Sequence, residues 1–375
     1  MSSRRYLLFA FTAIVAVTAS TGATSEQSSP SQAPPSASSS EHGVAVADIR
    51  VEASSQPPTE IDDRFGVVVT ANFAGRERKP AMASLLDRVG VRWYIDAGWD
   101  PATKPDGVNC LYTLPARAES FLLTATRIAE LVRLAPGAYW AVGNEANVPG
   151  MDNNPPRDYA RFFHHYATNI KRLDPSAKLV GPNVLNWVDT CTGCPGYAKG
   201  QEWVDAFRDA YRTEYNEEPP IDVWALHTYD LDWEKLPMVN WQFQVRQIIA
   251  LRDYLDRSVV HAGKPIWVTE FAVLFAFDGF EWRENARGQE RLYPVGDLPV
   301  PKLEAYVREM LGWLTESGRS YGVDRWFFFE TNRGEVSGGE WSGAFIGISL
   351  LDGPTPDSQL TPVGTLYRSL AARRT

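Results

Sequence analysis

Val142-Gly143-Asn144-Glu145 and Ile266-Trp267-Val268-Thr269-Glu270-Phe271 each carry a strand-like apolar run onto a glutamate, and the two glutamates stand 125 residues apart. In a (β/α)8 barrel the C-terminal ends of all the parallel strands meet at one rim, so two such glutamates face each other across a cleft. A carboxyl pair in that position suits glycoside hydrolysis: one group protonates the leaving oxygen, and the other attacks the anomeric carbon or activates water. A carboxylate at a buried strand end needs hydrogen-bonded partners or a raised pKa. A raised pKa is what a general acid requires, which suits Glu145. Asn144, one residue earlier, is placed to donate its amide to a sugar hydroxyl beside the scissile bond.

Between the glutamates runs Asp222-Val-Trp-Ala-Leu-His227-Thr-Tyr229-Asp230, a third apolar run that ends in polar and aromatic residues. His227 or Tyr229 is placed to hydrogen-bond the nucleophilic carboxylate and keep it ionised and oriented. A single strand-end Glu is often salt-bridged and a single His is often a satisfied structural group, but three strand ends of the same form argue for a site. Glu330, closing Trp326-Phe-Phe-Phe-Glu330, ranks third among the carboxylates, as a ligand for a substrate hydroxyl or as a salt-bridged rim residue. Asp96, Asp100 and Asp230 compete more weakly. Of the thirteen tryptophans, Trp99, Trp187, Trp233 and Trp341 fall beyond strand ends or in rim segments and are expected as flat platforms for sugar rings. Trp140, Trp224 and Trp267 fall within strands and are expected in the core.

The elements that must hold these residues alternate along the chain. Apolar runs at Phe65 to Thr70, Val91 to Ile95, Ala138 to Val142, Lys178 to Gly181, Val223 to His227, Ile266 to Thr269 and Arg325 to Phe329 alternate with segments of helical period. The eighth strand has one candidate, Val108 to Leu114. Tyr159, Phe162, Phe163, Tyr166, Ile170 and Leu173 form an apolar helical stripe opened by Pro155-Pro156 and closed by Asp174-Pro175. Leu303, Tyr306, Val307, Met310, Leu311 and Leu314 form another, Phe121 to Leu134 a third, and residues 361 to 370 the last; all are expected to face the core. The fold class expected is α/β, a (β/α)8 TIM barrel.

Arg4-Arg5, an apolar run from Tyr6 to about Ala19 and small residues to Ala23 have the form of a signal peptide over residues 1–23. The run falls short of the ~20 residues that span a bilayer, so no stable membrane insertion is expected, and the chain is expected to be secreted. Residues 24–58, rich in Ser, Pro and Ala, are expected to be a disordered linker, and residues 59–375 the single catalytic domain. The net charge of −9, which becomes −11 without Arg4 and Arg5, argues against nucleic acid as a partner. Cys191 and Cys194 are expected to form a small structural disulfide, with pairing of Cys110 to either as the alternative. Only five histidines are present and the adjacent His164 and His165 diverge on a helix, so no metal is expected, nor any cofactor.

Gly143-Asn144-Glu145, Ala225-Leu-His227-Thr-Tyr229 and Pro265-Ile-Trp-Val-Thr-Glu270-Phe271 together resemble glycoside hydrolase clan A. The chain is most similar, from about residue 64 to 370, to the Asl1-like catalytic domain of family 128. It departs from that family's Asn-Glu-Pro-Asp in reading Asn144-Glu145-Ala146-Asn147. The resemblance implies a retaining barrel that acts on a β-linked polysaccharide, a β-glucan before mannan, xylan or arabinan. It implies Glu270 as nucleophile and Glu145 as acid/base. A carbohydrate-binding barrel of weak activity is the alternative class, against which both glutamates, Asn144 and His227 argue. The segments 147–156, 189–200 and 278–296 are expected to set the shape of the cleft.

Overall fold

The computed structural model describes residues 60–69, 78–96, 100–194, 196–284, 288, 290–332, 349–353 and 355–372. The expected leader and linker, together with Trp99 and Trp341, lie outside the described residues. Eleven strands and seven α-helices follow in order: β1 (Phe65–Val69), α1 (Arg78–Val89), β2 (Trp93–Asp96), β3 (Asn109–Leu114), α2 (Ala125–Leu134), β4 (Tyr139–Val142), α3 (Pro156–Leu173), β5 (Lys178–Val180), β6 (Val184–Leu185), α4 (Gly200–Tyr215), β7 (Trp224–Thr228), α5 (Trp241–Asp256), β8 (Ile266–Phe271), β9 (Phe277–Glu284), β10 (Glu290–Asp297), α6 (Val300–Glu316), β11 (Val323–Phe329) and α7 (Pro362–Ala371).

Nine of the strands form one parallel sheet in the order β5-β4-β3-β2-β1-β11-β8-β7-β6. Its two ends, β5 and β6, are successive pieces of one strand interrupted at Gly181-Pro182-Asn183. Leu179 O accepts from Asp222 N (2.9 Å) and Val223 N (3.1 Å), and Gly181 N donates to Val223 O (3.0 Å), so the sheet closes on β7. The result is an eight-stave (β/α)8 barrel. β3 occupies the expected place of the eighth strand. Among the described residues between β2 and β3 stands a 3₁₀ turn, Pro101–Thr103, and no α-helix.

Inward-facing Val68, Trp93, Ile95, Leu111, Ala141, Val180, Ala225, Trp267 and Phe327 fill the barrel, while the alternate residues of each strand pack against the helices. A side chain at Gly66 would meet the Phe327 ring at 2.5 Å, so glycine there lets the ring fill the interior. Near the strands' N-terminal ends, the Arg325 guanidinium lies 3.8 Å from the Trp93 ring centroid and 4.9 Å from that of Trp267, closing the end away from the glutamates. The stripes of α3 and α6 face the core as expected, save Leu173 at the end of α3. The third stripe is a correction: Thr124 caps α2 by accepting from Arg127 N (3.2 Å), so Phe121 precedes the helix and Leu134 ends it, both largely exposed.

At the other end of α4, Glu218 holds Arg208 (3.0 Å) and Arg212 (2.7 Å) and lies 3.5 Å from the buried His261 ring. Burial works to raise Glu218, but the two guanidinium groups outweigh it and hold the carboxyl at about 2. Burial, followed by Lys264 and Arg208, lowers His261 to about 4. A histidine depressed in the folded state contributes stability that is complete above its ordinary 6.5 and is lost as pH falls from there towards 4. Loss of about 2 kcal/mol over that interval, allowing for solvent screening, should appear as a falling melting temperature. His261→Gln should flatten that slope; a wild-type melting temperature level from pH 6.5 to 4.5 would contradict it.

Candidate active site

Three local features aim the key side chains into the mouth of the barrel. Along β7 and the residue that follows it, alternation turns Ala225, His227 and Tyr229 to the same inner face. β8 carries an extra residue relative to β7: Leu226 pairs with Val268, but His227 pairs with Glu270. Simple alternation from Trp267 would send Glu270 outward. The bulge at Thr269 turns it inward instead. At β4 the chain leaves the sheet through Gly143 (φ +70°) and Glu145 (φ +48°), a left-handed exit that re-aims the glutamate.

His227 Nδ1 lies 2.9 Å from Glu145 Oε1 and 3.4 Å from Glu270 Oε2. The Tyr229 hydroxyl donates to Glu270 Oε2 at 2.9 Å. One donor atom each from Glu145, His227 and Glu270 lies within 4.8 Å of the others, close enough also to ligate one cation. Burial opposes charge on His227, but the Glu270 and Glu145 carboxylates outweigh it and raise its pKa. Burial first, and then the charges of Glu270 and Glu145, push the Tyr229 phenol well up, so it remains a proton donor. The set therefore joins two carboxyl groups through one imidazole, with a phenol fixing the orientation of the second.

Asn144 and Glu330 stand at the same rim, Asn144 half-buried and Glu330 almost fully buried beyond β11, near enough for its charge to raise Tyr229. Two expected stacking platforms are corrections. Trp187 is fully buried because Asn186 (φ +49°) turns the chain inward and Gln247 Oε1 accepts the backbone N–H of Trp187 at 2.9 Å, leaving the ring edge-on to Tyr254. Trp233 is buried as well, against Phe275 (4.7 Å) and Phe280 (6.2 Å). Asp100 caps the 3₁₀ turn and pairs with Arg127, and Asp230 accepts from Asn240 N at 3.0 Å, so both have local structural tasks. Cys191 and Cys194 form the disulfide; Cys110 is buried on β3, outside it.

Several polar residues were missed from sequence. Asn183 donates to Gly143 O (3.1 Å) and accepts from Thr269 Oγ1 (3.2 Å), tying the strand before one glutamate to the strand carrying the other. Asn186 accepts from Tyr229 N (3.0 Å) and donates to Tyr229 O (3.0 Å), fixing the phenol's backbone. Asp152 Oδ2 accepts from Asn144 N at 2.7 Å. The only sequence signal for the first two was an asparagine on each side of a two-residue strand.

Residues 127–367 match the family described as the glycosyl hydrolase catalytic core. No curated protein matches the chain. Among solved structures, the chain is similar to a family 128 (subgroup II) endo-β-1,3-glucanase from Pseudomonas viridiflava, at 23% identity and a TM-score of 0.50 over 82% of this chain and 97% of that one. It is similar to a family 128 (subgroup III) curdlan-specific exo-β-1,3-glucanase from Blastomyces gilchristii, at 20% identity and a TM-score of 0.51 over 84% and 100%. A subgroup II endo-β-1,3-glucanase from Sorangium cellulosum gives 18% identity and 0.51 over 83% and 99%. At these identities the likeness shows the fold.

Proposed function

Because the chain belongs to the glycosyl hydrolase catalytic core family, we propose that this glycoside hydrolase cleaves a β-glucan with retention of configuration, using Glu270 as nucleophile and Glu145 as acid/base. The observation that carries the reading is the approach of a Glu145 and a Glu270 carboxyl oxygen to within 4.8 Å. Retaining enzymes hold their two carboxyl groups about 5–5.5 Å apart, whereas inverting enzymes leave about 6.5–9.5 Å for a water.

Glu270, held by the Tyr229 hydroxyl, attacks the anomeric carbon while the protonated Glu145 gives its proton to the departing glycosidic oxygen. The C–O bond to the leaving sugar breaks as the bond to Glu270 forms. Glu145, now a carboxylate hydrogen-bonded to His227, then takes a proton from water as the water oxygen bonds to the anomeric carbon and the bond to Glu270 breaks, which frees the sugar and returns Glu270 as a carboxylate. Asn144 and Glu330 act as ligands for sugar hydroxyls. No cofactor enters these steps.

The β-glucan substrate rests on the β-1,3-glucanases named among the similar structures, and residues 59–375 are taken as the catalytic unit. Secretion rests on the leader-like residues 1–23 and on the disulfide, which suits an oxidising compartment. Purified protein should release reducing sugar from β-1,3-glucan, with mixed-linkage glucan, mannan, xylan and arabinan as controls, and the first product should be the β-anomer by NMR. An α-anomer as first product would overturn retention; cleavage of another polymer in preference would overturn the substrate.

A further inference from the structure

Gly143 has no side chain, and a Cβ built there would lie 2.7 Å from Asp152 Oδ2. That oxygen accepts the backbone N–H of Asn144 at 2.7 Å, and Asp152 N returns a bond to Asn144 O at 3.3 Å. The two bonds close the loop that follows β4. Within it Val148 N donates to Glu145 O (2.9 Å) and Asn154 N to Ala146 O (2.9 Å), while the Tyr159 hydroxyl, on α3, donates to Val142 O (2.7 Å). Every peptide from Val142 to Ala146 is thereby tied, with Glu145 left in its left-handed conformation at the centre. Such a conformation persists in a non-glycine residue when its surroundings over-determine it.

We propose that Asp152 is a positioning residue for the hydrolysis: its carboxylate occupies the space a side chain at position 143 would take, clamps the Asn144 N–H, and so sets the angle at which Asn144 and Glu145 enter the cleft. The proposal rests on Glu145 as acid/base. An ionised acceptor makes the clamp a charge-assisted bond, stronger than a neutral one. The charged groups acting on Asp152 are Arg117, from the segment between β3 and α2, and the Glu145 carboxyl itself; Asp152 in turn faces the Tyr159 and Tyr166 phenols on α3 and adds to the burial that raises both. Burial foremost raises Asp152 to about 6; the Asn144 N–H and Arg117 oppose this, and Glu145 adds to it. As pH falls through that value the carboxyl takes a proton, the clamp weakens and Glu145 loses its fixed aim. The acidic fall in kcat/KM therefore belongs in part to Asp152.

The test pairs Asp152→Ala with Asp152→Asn, whose amide oxygen still accepts the Asn144 N–H but does not titrate. Asp152→Ala should lower kcat about 10²-fold, the scale of a small misplacement of a reacting group, with KM changed less than about 3-fold. Asp152→Asn should keep most of kcat at pH 7 and lose the acidic limb near pH 6. The ¹⁵N-labelled Asn144 amide in the full chain reports the clamp without turnover: its shift should titrate near pH 6 in the wild type and stay flat in Asp152→Asn. An unchanged pH profile, or an Asn144 amide indifferent to Asp152→Asn, would overturn the proposal even if Asp152→Ala fails to fold. A wild type that cleaves no polymer but shows the amide titration would count against the assigned reaction and leave the clamp standing.

Discussion

Glu270→Gln should abolish turnover, by on the order of 10⁴-fold or more, while sugar binding survives. An amide is close to a carboxylate in shape, so the Tyr229 hydroxyl that donates to Oε2 at 2.9 Å keeps an oxygen acceptor. The amide is too weak a nucleophile to form the glycosyl-enzyme, and its neutrality removes one of the two anions that raise His227. His227 should accordingly titrate at a lower pH in the variant, which NMR of the imidazole can follow independently of activity. Glu270→Ala opens space on the face of the sugar opposite the leaving group. Added azide should then attack there directly and give the α-glycosyl azide, a single inversion. Retained turnover in Glu270→Gln, or a β-azide from Glu270→Ala, would remove Glu270 from the nucleophile's role.

Glu145, His227, Tyr229 and Glu270 were legible because each sits at or just past the end of an apolar run, and a barrel delivers strand ends to one rim whatever the loops do. The means that aim them were not legible. The bulge at Thr269 depends on the register between β7 and β8, which no local pattern in Ile266 to Phe271 reveals. Asp152 acts on Asn144 across a loop whose closure is a tertiary event. Trp187 was misplaced for a related reason: one left-handed residue, Asn186, turns a side chain expected at the rim into the layer beneath it. The short 3₁₀ turn described between β2 and β3 and the hairpin of β9 and β10 belong to the same class, since the alternation of a barrel tolerates a changed or added element at the rim without disturbing the staves. Where position followed from strand polarity the sequence sufficed, and where it followed from one φ angle or one residue of register it did not.

Replacing Glu145 should give a different signature, because its two tasks depend differently on the leaving group. A sugar alkoxide is a poor leaving group and needs the proton, so Glu145→Ala should lose about 10²–10⁴-fold on polymer, the usual range of general acid–base catalysis. A dinitrophenyl glycoside leaves without one, so its attack by Glu270 should proceed nearly unimpaired. Water activation then becomes slow, and the glycosyl-enzyme should accumulate after a burst of phenol equal to the enzyme concentration. Azide needs no base to attack, and should restore turnover while forming the β-glycosyl azide, the net result of two inversions. The geometry makes a further demand on this variant. His227 Nδ1, which lies 2.9 Å from Glu145 and 3.4 Å from Glu270, keeps only Glu270 as a carboxylate neighbour in this trio. Its pKa should therefore fall, as in the Glu270 variant, because each substitution removes one of the two carboxylates that raise it. An equal loss on polymer and on the dinitrophenyl glycoside, with no burst and no rescue, would show that Glu145 holds the site together without carrying the proton.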